Sequence, residues 1–345
     1  MRLSFRIVLA ALAFSAAAAA APATEPPGGV PVPEQKCQRE CLEGIMDKYL
    51  HAMADDKVSD ELFARDVRFT ENGVQLPLGR EGLWATASGL GKYTFYVPDV
   101  ETQQVAFLGT MMEQASRSAS GPPRPAEAVG VDVRLRIDAD GKISEVEQIV
   151  ARPDRPLGAA ADAPGNSPFP ATGAAVEAMG APHPIFLQAV PESERMSRAD
   201  LIAVANQYFE GMQRNDGKGY YPFTDDCLRR ENGMIAAGPP GTQGGMGGRP
   251  VETCKGQFET SLKGIVTGIR DRRFVAVDRE RGIVFSFAFF DHRPIDWTWQ
   301  LGELFKIENN KIRRIEAIFI RGPYGMCSGW STYEQCRSEE IQDVR

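Results

Sequence analysis

One pattern is written twice in this chain, and a duplicated pattern restricts the fold more than any composition does. Leu42, Ile45, Met46, Tyr49 and Met53 recur at i, i+3, i+4, i+7 and i+11, which places them on one face of an amphipathic helix. Leu201, Val204, Ala205, Tyr208 and Met212 repeat those positions with a constant offset of 159. Downstream, Glu71-Asn72-Gly73 returns as Glu231-Asn232-Gly233 at an offset of 160, and "KISEVEQIVARP" near residue 150 parallels "KIRRIEAIFIRGP" near residue 320. Any amphipathic helix gives the first spacing. The shared tyrosine and the later tripeptide are what make the match a duplication.

The beginning of the chain has Arg2 and Arg6, an apolar run from Ile7 to Phe14 and an alanine tract to Ala21, the layout of a secretory signal peptide. A periplasmic or secreted protein is therefore expected, with no membrane attachment after cleavage, because no later run approaches the apolar length of a transmembrane helix. Cleavage changes the formal charge from −7 to −9. An acidic chain without a basic cluster argues against nucleic acid as a partner. The expected organisation is a signal peptide over 1–21, a Pro/Gly-rich lead-in over 22–36, a first domain over 37–152, a Pro/Ala/Gly-rich linker over 153–196, a second domain over 197–322 and a cysteine-containing tail over 323–345.

Six cysteines in an exported chain favour disulfides. Proximity suggests Cys227 with Cys254 and Cys327 with Cys336. Cys37 and Cys41 fall one turn apart on a predicted helix, an awkward placement that points them to other partners. In each copy the pattern predicts helices first, at Ser59–Ala64 and Arg80–Ser88 in the first copy and Val251–Gly264 in the second. Strands follow near 94–98, 100–110, 129–137 and 143–151, then near 273–278, 283–290, 298–307 and 312–321. Asp140-Gly141 and Asn309-Asn310 mark tight hairpins. Ser116–Pro125 reads as a polar loop.

Short helices followed by a long meander describe an α+β domain. The helix "NQYFEGMQRND", the segments "FARDVRFTENG" and "FTDDCLRRENG", and the closing hairpins resemble the SnoaL-like, nuclear transport factor two-like superfamily over about residues 37–152 and 197–322. The doubled form also resembles a group of uncharacterised secreted proteins, mostly fungal. The resemblance implies two tandem cone domains, each with N-terminal helices wrapped by a strongly curved antiparallel sheet, packed against each other within the chain. It implies no single activity, since such folds host many.

Within that superfamily ketosteroid isomerase is similar in its helix tyrosine, its carboxylate base and its protonated acid, positions that fall here on Tyr208, Glu231 and Glu303. Glu replaces Asp at both carboxyl positions, which changes their reach. In the first copy the acid position falls on Val133, so the second copy is the expected site. A carboxylate in an apolar interior is desolvated and becomes a usable base at neutral pH, while Tyr208 and a protonated Glu303 donate to an oxyanion. The competing reading makes Glu-Asn-Gly a structural turn, and its occurrence in both copies supports that. His292, expected in a loop, is a candidate proton shuttle. Asp291 and Asp296 are weaker alternative bases. Asn232, Trp297, Trp299 and Phe289 are candidates for lining a small hydrophobic or aromatic ligand. No metal site is expected, because His51, His183 and His292 lack ligand spacing, and no cofactor motif is present: Gly244–Gly248 lacks the context of a phosphate loop. Two functions stay open, a cofactor-free lyase, dehydratase or isomerase and a non-catalytic binding or scaffolding protein.

Overall fold

The computed structural model describes residues 36–114, 125–153, 171–245, 248, 250–261 and 266–342. The expected signal peptide, all of the lead-in but its last residue, the loop from Ser116 up to Pro125 and part of the Gly244–Gly248 loop lie outside these residues.

The first half runs α1 (Arg39–Ala54), β1 (Phe63–Glu71), β2 (Val74–Gln75), β3 (Ala87–Asp99), β4 (Gln104–Gln114), β5 (Ala126–Ile137) and β6 (Ile143–Ala151). Two short helices, α2 (Thr172–Ala178) and α3 (Pro184–Leu187), lead to the second half. It comprises α4 (Arg198–Arg214), β7 (Phe223–Glu231), β8 (Met234–Ala237), α5 (Cys254–Gly256), β9 (Gly268–Asp278), β10 (Ile283–His292), β11 (Trp297–Glu308) and β12 (Lys311–Pro323), with α6 (Tyr333–Arg337) in the tail. Each half forms a six-stranded sheet of the same order, β2-β1-β6-β5-β4-β3 and β8-β7-β12-β11-β10-β9.

This architecture corrects the expected fold class. The molecule is dominated by two mixed sheets rather than by two cones of helices wrapped by antiparallel strands, since β1 runs parallel to β6 and β7 parallel to β12. The helices expected besides α1 and α4 are largely absent for local reasons. Phe63, Val67 and Phe69 already alternate, so the segment before them is a turn leading into β1. At Arg80–Ser88, Gly82 takes a left-handed φ of 65° that breaks an α-helix, and only the 3-10 turn Gly82–Ala85 remains. Of Val251–Gly264, α5 and a π turn at Gln257–Ser261 form.

Strands behave closer to expectation. Asn72-Gly73 and Asn232-Gly233 have φ of 52° and 78°, and 49° and 80°, the paired left-handed geometry of a two-residue hairpin turn. Asn309-Asn310 repeats it between β11 and β12, at 49° and 61°. The asparagine side chains also clip the neighbouring strand: Val150 N donates to Asn72 Oδ1 at 2.8 Å, and Phe319 N donates to Asn232 Oδ1 at 2.8 Å.

Three apolar layers result. The inner face of α1 (Leu42, Met46, Tyr49, Met53) packs with Phe63, Phe69, Trp84 and Phe107 on one face of the first sheet. The inner face of α4 does the same with Phe223, Phe290, Phe305 and Phe319 on the second. Between them the opposite faces of the two sheets meet, with Tyr93, Phe95, Leu108 and Ile149 against Phe285, Phe287, Leu304 and Ile318. The order is helix, sheet, sheet, helix. Charges are buried in the middle layer: Arg273 of the second sheet donates to both oxygens of Glu147 at 2.7 and 2.8 Å, and Arg134 reaches the same carboxylate.

The segment read as a linker is structured where it is described. Val176 of α2 and Phe186 of α3 are buried in the middle layer. After β12 the tail crosses to the first sheet, where the Trp330 ring lies between the guanidinium groups of Arg68 (4.3 Å) and Arg134 (4.6 Å) and its Nε1 donates to Thr70.

Cys227 pairs with Cys254 and Cys327 with Cys336, as proximity suggests. Cys37 pairs with Cys41, contrary to expectation, because α1 begins at Arg39 and leaves Cys37 outside the helix, with Cα atoms 5.4 Å apart. The Cys327–Cys336 bond braces the tail that strap-fastens both sheets. Replacing both cysteines by serine should lower unfolding free energy by about 2–4 kcal/mol; an unchanged urea midpoint would show that the strap does not depend on this bond.

Candidate functional site

The site is built on one row of residues running across three strands. In the second sheet the row is Glu231 on β7, Ala317 on β12 and Glu303 on β11. In the first sheet the same row reads Glu71, Gln148, Val133. The helix tyrosine, Tyr49 or Tyr208, is fully buried in each half.

In the first half the row is saturated. Tyr49 Oη donates to Gln148 Oε1 at 2.7 Å, and Gln148 Nε2 donates to Glu71 Oε2 at 2.8 Å. Glu71 also accepts from Leu83 N and from Arg152 Nη1, both at 2.7 Å. Glu71 is thus a structural acceptor, as the turn reading of Glu-Asn-Gly expects for this copy.

The second half keeps the tyrosine and the glutamate but loses the amide between them, because Ala317 has no polar atom. Glu303, from one strand further over, brings its carboxyl to the place. Arg229 enters from the other side, two residues before Glu231 and therefore on the same strand face, and pairs with Glu231. Its guanidinium carbon lies 5.9 Å from the centre of the Tyr208 ring. Among the described residues, Arg229 Nε and Nη1 are buried without a hydrogen-bond partner, and Tyr208 Oη and Glu303 Oε2 are buried facing each other with no partner outside this cluster. Four such atoms in one apolar interior are costly unless something meets them.

The electrostatics follow from this arrangement. Burial pushes the Glu303 carboxyl up to about 8, against the pull of Tyr208 and Arg229 and with a small push from Glu231. Burial likewise lifts the Tyr208 hydroxyl well above its ordinary value, opposed by Arg229. For Arg229, burial works against the charge, but Glu231, Tyr208 and Glu303 outweigh it and hold the guanidinium protonated. At neutral pH the site holds a neutral phenol, a mostly neutral carboxyl and an ion pair.

The remaining sequence candidates divide between the two sides of the sheet. His292 is not in a loop: it ends β10, is buried, and its ring lies 4.2 Å from that of Trp299. Trp299 stacks on Phe319 at 4.6 Å and packs against the core that holds Tyr208. Trp297 is half-buried with the Arg321 guanidinium 4.3 Å over its ring. Phe289 lies under Arg270 at 4.9 Å and is not part of the core around Tyr208, so alternation removes it from the site. Asn232 is committed to the Phe319 backbone. Asp291 is clamped by Arg270 at 2.8 and 3.1 Å and by Thr298, and Asp296 is exposed in a turn. Arg229 was not among the sequence candidates. Strand alternation in "CLRRENG" was enough to put it on the face of Glu231.

Among the described residues no group of three or more His, Cys, Asp or Glu side chains is placed to hold a metal ion, and no helix is long and apolar enough to cross a membrane.

Residues 194–319 match the model of a domain of unknown function, DUF8021. That stretch contains Tyr208, Arg229, Glu231 and Glu303. No curated protein matches the chain. Among solved structures it is similar to a de novo designed protein with a curved β-sheet, at 16% identity and a TM-score of 0.25, over 36% of this chain and 88% of that one.

Proposed function

We propose that the interior of the second half binds a small hydrophobic or aromatic molecule through one oxygen atom, outside the cytoplasm. The observation that carries this reading is the convergence of Tyr208 Oη, Glu303 Oε2 and two Arg229 nitrogens, all buried and with no hydrogen-bond partner outside this cluster, where the first half has a closed hydrogen-bond chain. A carbonyl, enolate or phenolate oxygen accepts from all three groups, and the more negative it becomes the stronger those bonds are. Phe223, Phe258 and Phe305, whose ring centres lie 6.4, 5.3 and 5.1 Å from that of Tyr208, offer the aromatic wall. Three disulfides support an oxidising compartment.

Within this reading the roles differ from those implied by resemblance. Glu231 is the counterion of Arg229, which leaves it a poor free base. Glu303, titrating near neutrality, is the group able to give a proton to the bound oxygen or take one from it. A lyase or isomerase step, if one occurs, runs through Glu303 and Tyr208. The first half, with its saturated row, serves as support.

The test uses 2-naphthol, whose ionisable ring oxygen resembles the proposed ligand, followed by tryptophan fluorescence. Wild-type protein should show a saturable change. Tyr208→Phe should bind about tenfold or more weakly, the loss of one hydrogen bond in a charged site, whereas Tyr49→Phe should bind as wild type. Absence of saturation in the wild type, or equal effects of the two tyrosine variants, would overturn the reading.

A further inference from the structure

The second sheet carries a different site on its other face. Between β7 and β12 and the connection that precedes α4 lies a pocket of about 410 Å³. Its apolar wall is Met179, Pro182 and Phe186 on the connection, and Phe186 is fixed by its contact with Phe95 at 5.3 Å. Its floor is Arg230 and Arg314, side by side because Arg230 pairs with Glu316 and Arg314 with Leu228 in the parallel register.

The charges in this pocket are not balanced from within. Among the described residues Arg230 makes no ion pair, and its one hydrogen bond goes from Nη1 to Gly233 O at 3.2 Å. Arg314 Nη1 donates to the backbone oxygens of Asp226 and Arg313, its nearest carboxylate oxygen is 3.8 Å away on Asp226, and its Nε is buried without a partner. The one carboxyl lining the pocket, Glu316, is engaged by the Tyr93 hydroxyl, and burial raises it to about 7, so it cancels only part of the arginine charge. His183 at the rim accepts Ile185 N–H on Nδ1. Burial, Arg314 and Arg230 keep it below its ordinary value, which leaves it a neutral donor through Nε2.

We propose that this pocket binds a small organic carboxylate, the carboxylate lying between Arg230 and Arg314 and the apolar body against Met179 and Phe186. Two guanidinium groups with spare donors match a carboxylate's paired oxygens, and the volume suits a molecule of one or two rings. A phosphate monoester shares the recognition chemistry. Its second negative charge would lie beside Glu316, the one carboxyl in the pocket lining.

The experiment is calorimetric titration of the full chain with 1-naphthoate, 1-naphthyl phosphate and the neutral 1-naphthamide at about pH 6.5. Naphthoate should saturate and naphthamide should not. Arg230→Gln and Arg314→Gln should each weaken naphthoate by tenfold or more, Arg314→Lys should weaken it less, and saturating 2-naphthol should leave the naphthoate isotherm unchanged. Arg230 is half-buried, so its variant stays informative if Arg314→Gln fails to fold. The proposal is overturned if naphthoate does not saturate at millimolar concentration, if Arg230→Gln binds as wild type, or if naphthyl phosphate binds more tightly than naphthoate.

Discussion

Arg229→Leu should destabilise the protein by about 3–5 kcal/mol, the usual consequence of leaving one member of a buried ion pair alone. The guanidinium is 3% exposed and Glu231 11%, so water cannot replace the lost partner. Glu231 would have to take up a proton or drag solvent into the core. The double variant Arg229→Leu/Glu231→Leu should recover most of the loss, because two apolar side chains remove both charges together. Urea unfolding of the two single variants and the double variant gives the coupling directly. A coupling below about 1 kcal/mol, the value of an exposed pair, would show that the pair is solvated and the interior open.

Stability should fall as pH rises from about 5 to 8. The folded state holds a proton on Glu303 up to about 8 and on Glu316 up to about 7, while the unfolded chain releases both near 4.5. Across that window the unfolded state binds fewer protons, so rising pH favours unfolding, by about 1.4 kcal/mol per pH unit for each such group. Asp132, fully buried between the sheets and held well above its ordinary value by that burial, adds in the same sense. His183 opposes the trend below 6.5, weakly, because it is mostly exposed. Glu303→Gln should flatten the profile up to about pH 8 and Glu316→Gln only up to about 7. A profile that rises across the window would mean that these carboxyls are already ionised in the folded protein.

What the sequence disclosed was local. Ile143–Ala151 is a strand with the bounds its alternation predicts, Asn-Gly and Asn-Asn form the turns their backbone preferences require, and two cysteine pairs close over short distances. What it concealed was long-range. The parallel pairing of β1 with β6 joins residues far apart in the chain and has no turn to announce it. The helices expected at Ser59–Ala64 and Arg80–Ser88 do not form, the second because Gly82 takes a left-handed φ that only a short 3-10 turn can follow. The aromatic strand Phe285, Phe287 and Phe289 could be assigned to packing from alternation, but not to a layer between two sheets, because that layer depends on the other half of the molecule. At the site, the resemblance to ketosteroid isomerase points to Tyr208 and Glu303, and the comparison with Val133 favours the second copy, whereas Arg229, which stands where the first copy has Phe69 and pairs with Glu231, matches no position of that pattern.

The face-to-face packing of the sheets has a consequence for synthesis. The first half emerges from the ribosome with Tyr93, Phe95 and Leu108 on an incompletely matched face and Glu147 without Arg273, and of the segments made before β9, Val176 of α2 and Phe186 of α3 cover part of that layer. Its surface is completed only when β9–β12 arrive, and the closing contacts come last, with Trp330 in the final stretch of chain. The apolar face of the first half therefore stays partly open until β9–β12 are made, and a chain truncated before Trp330 should keep the residues of both sheets while losing the clasp across them.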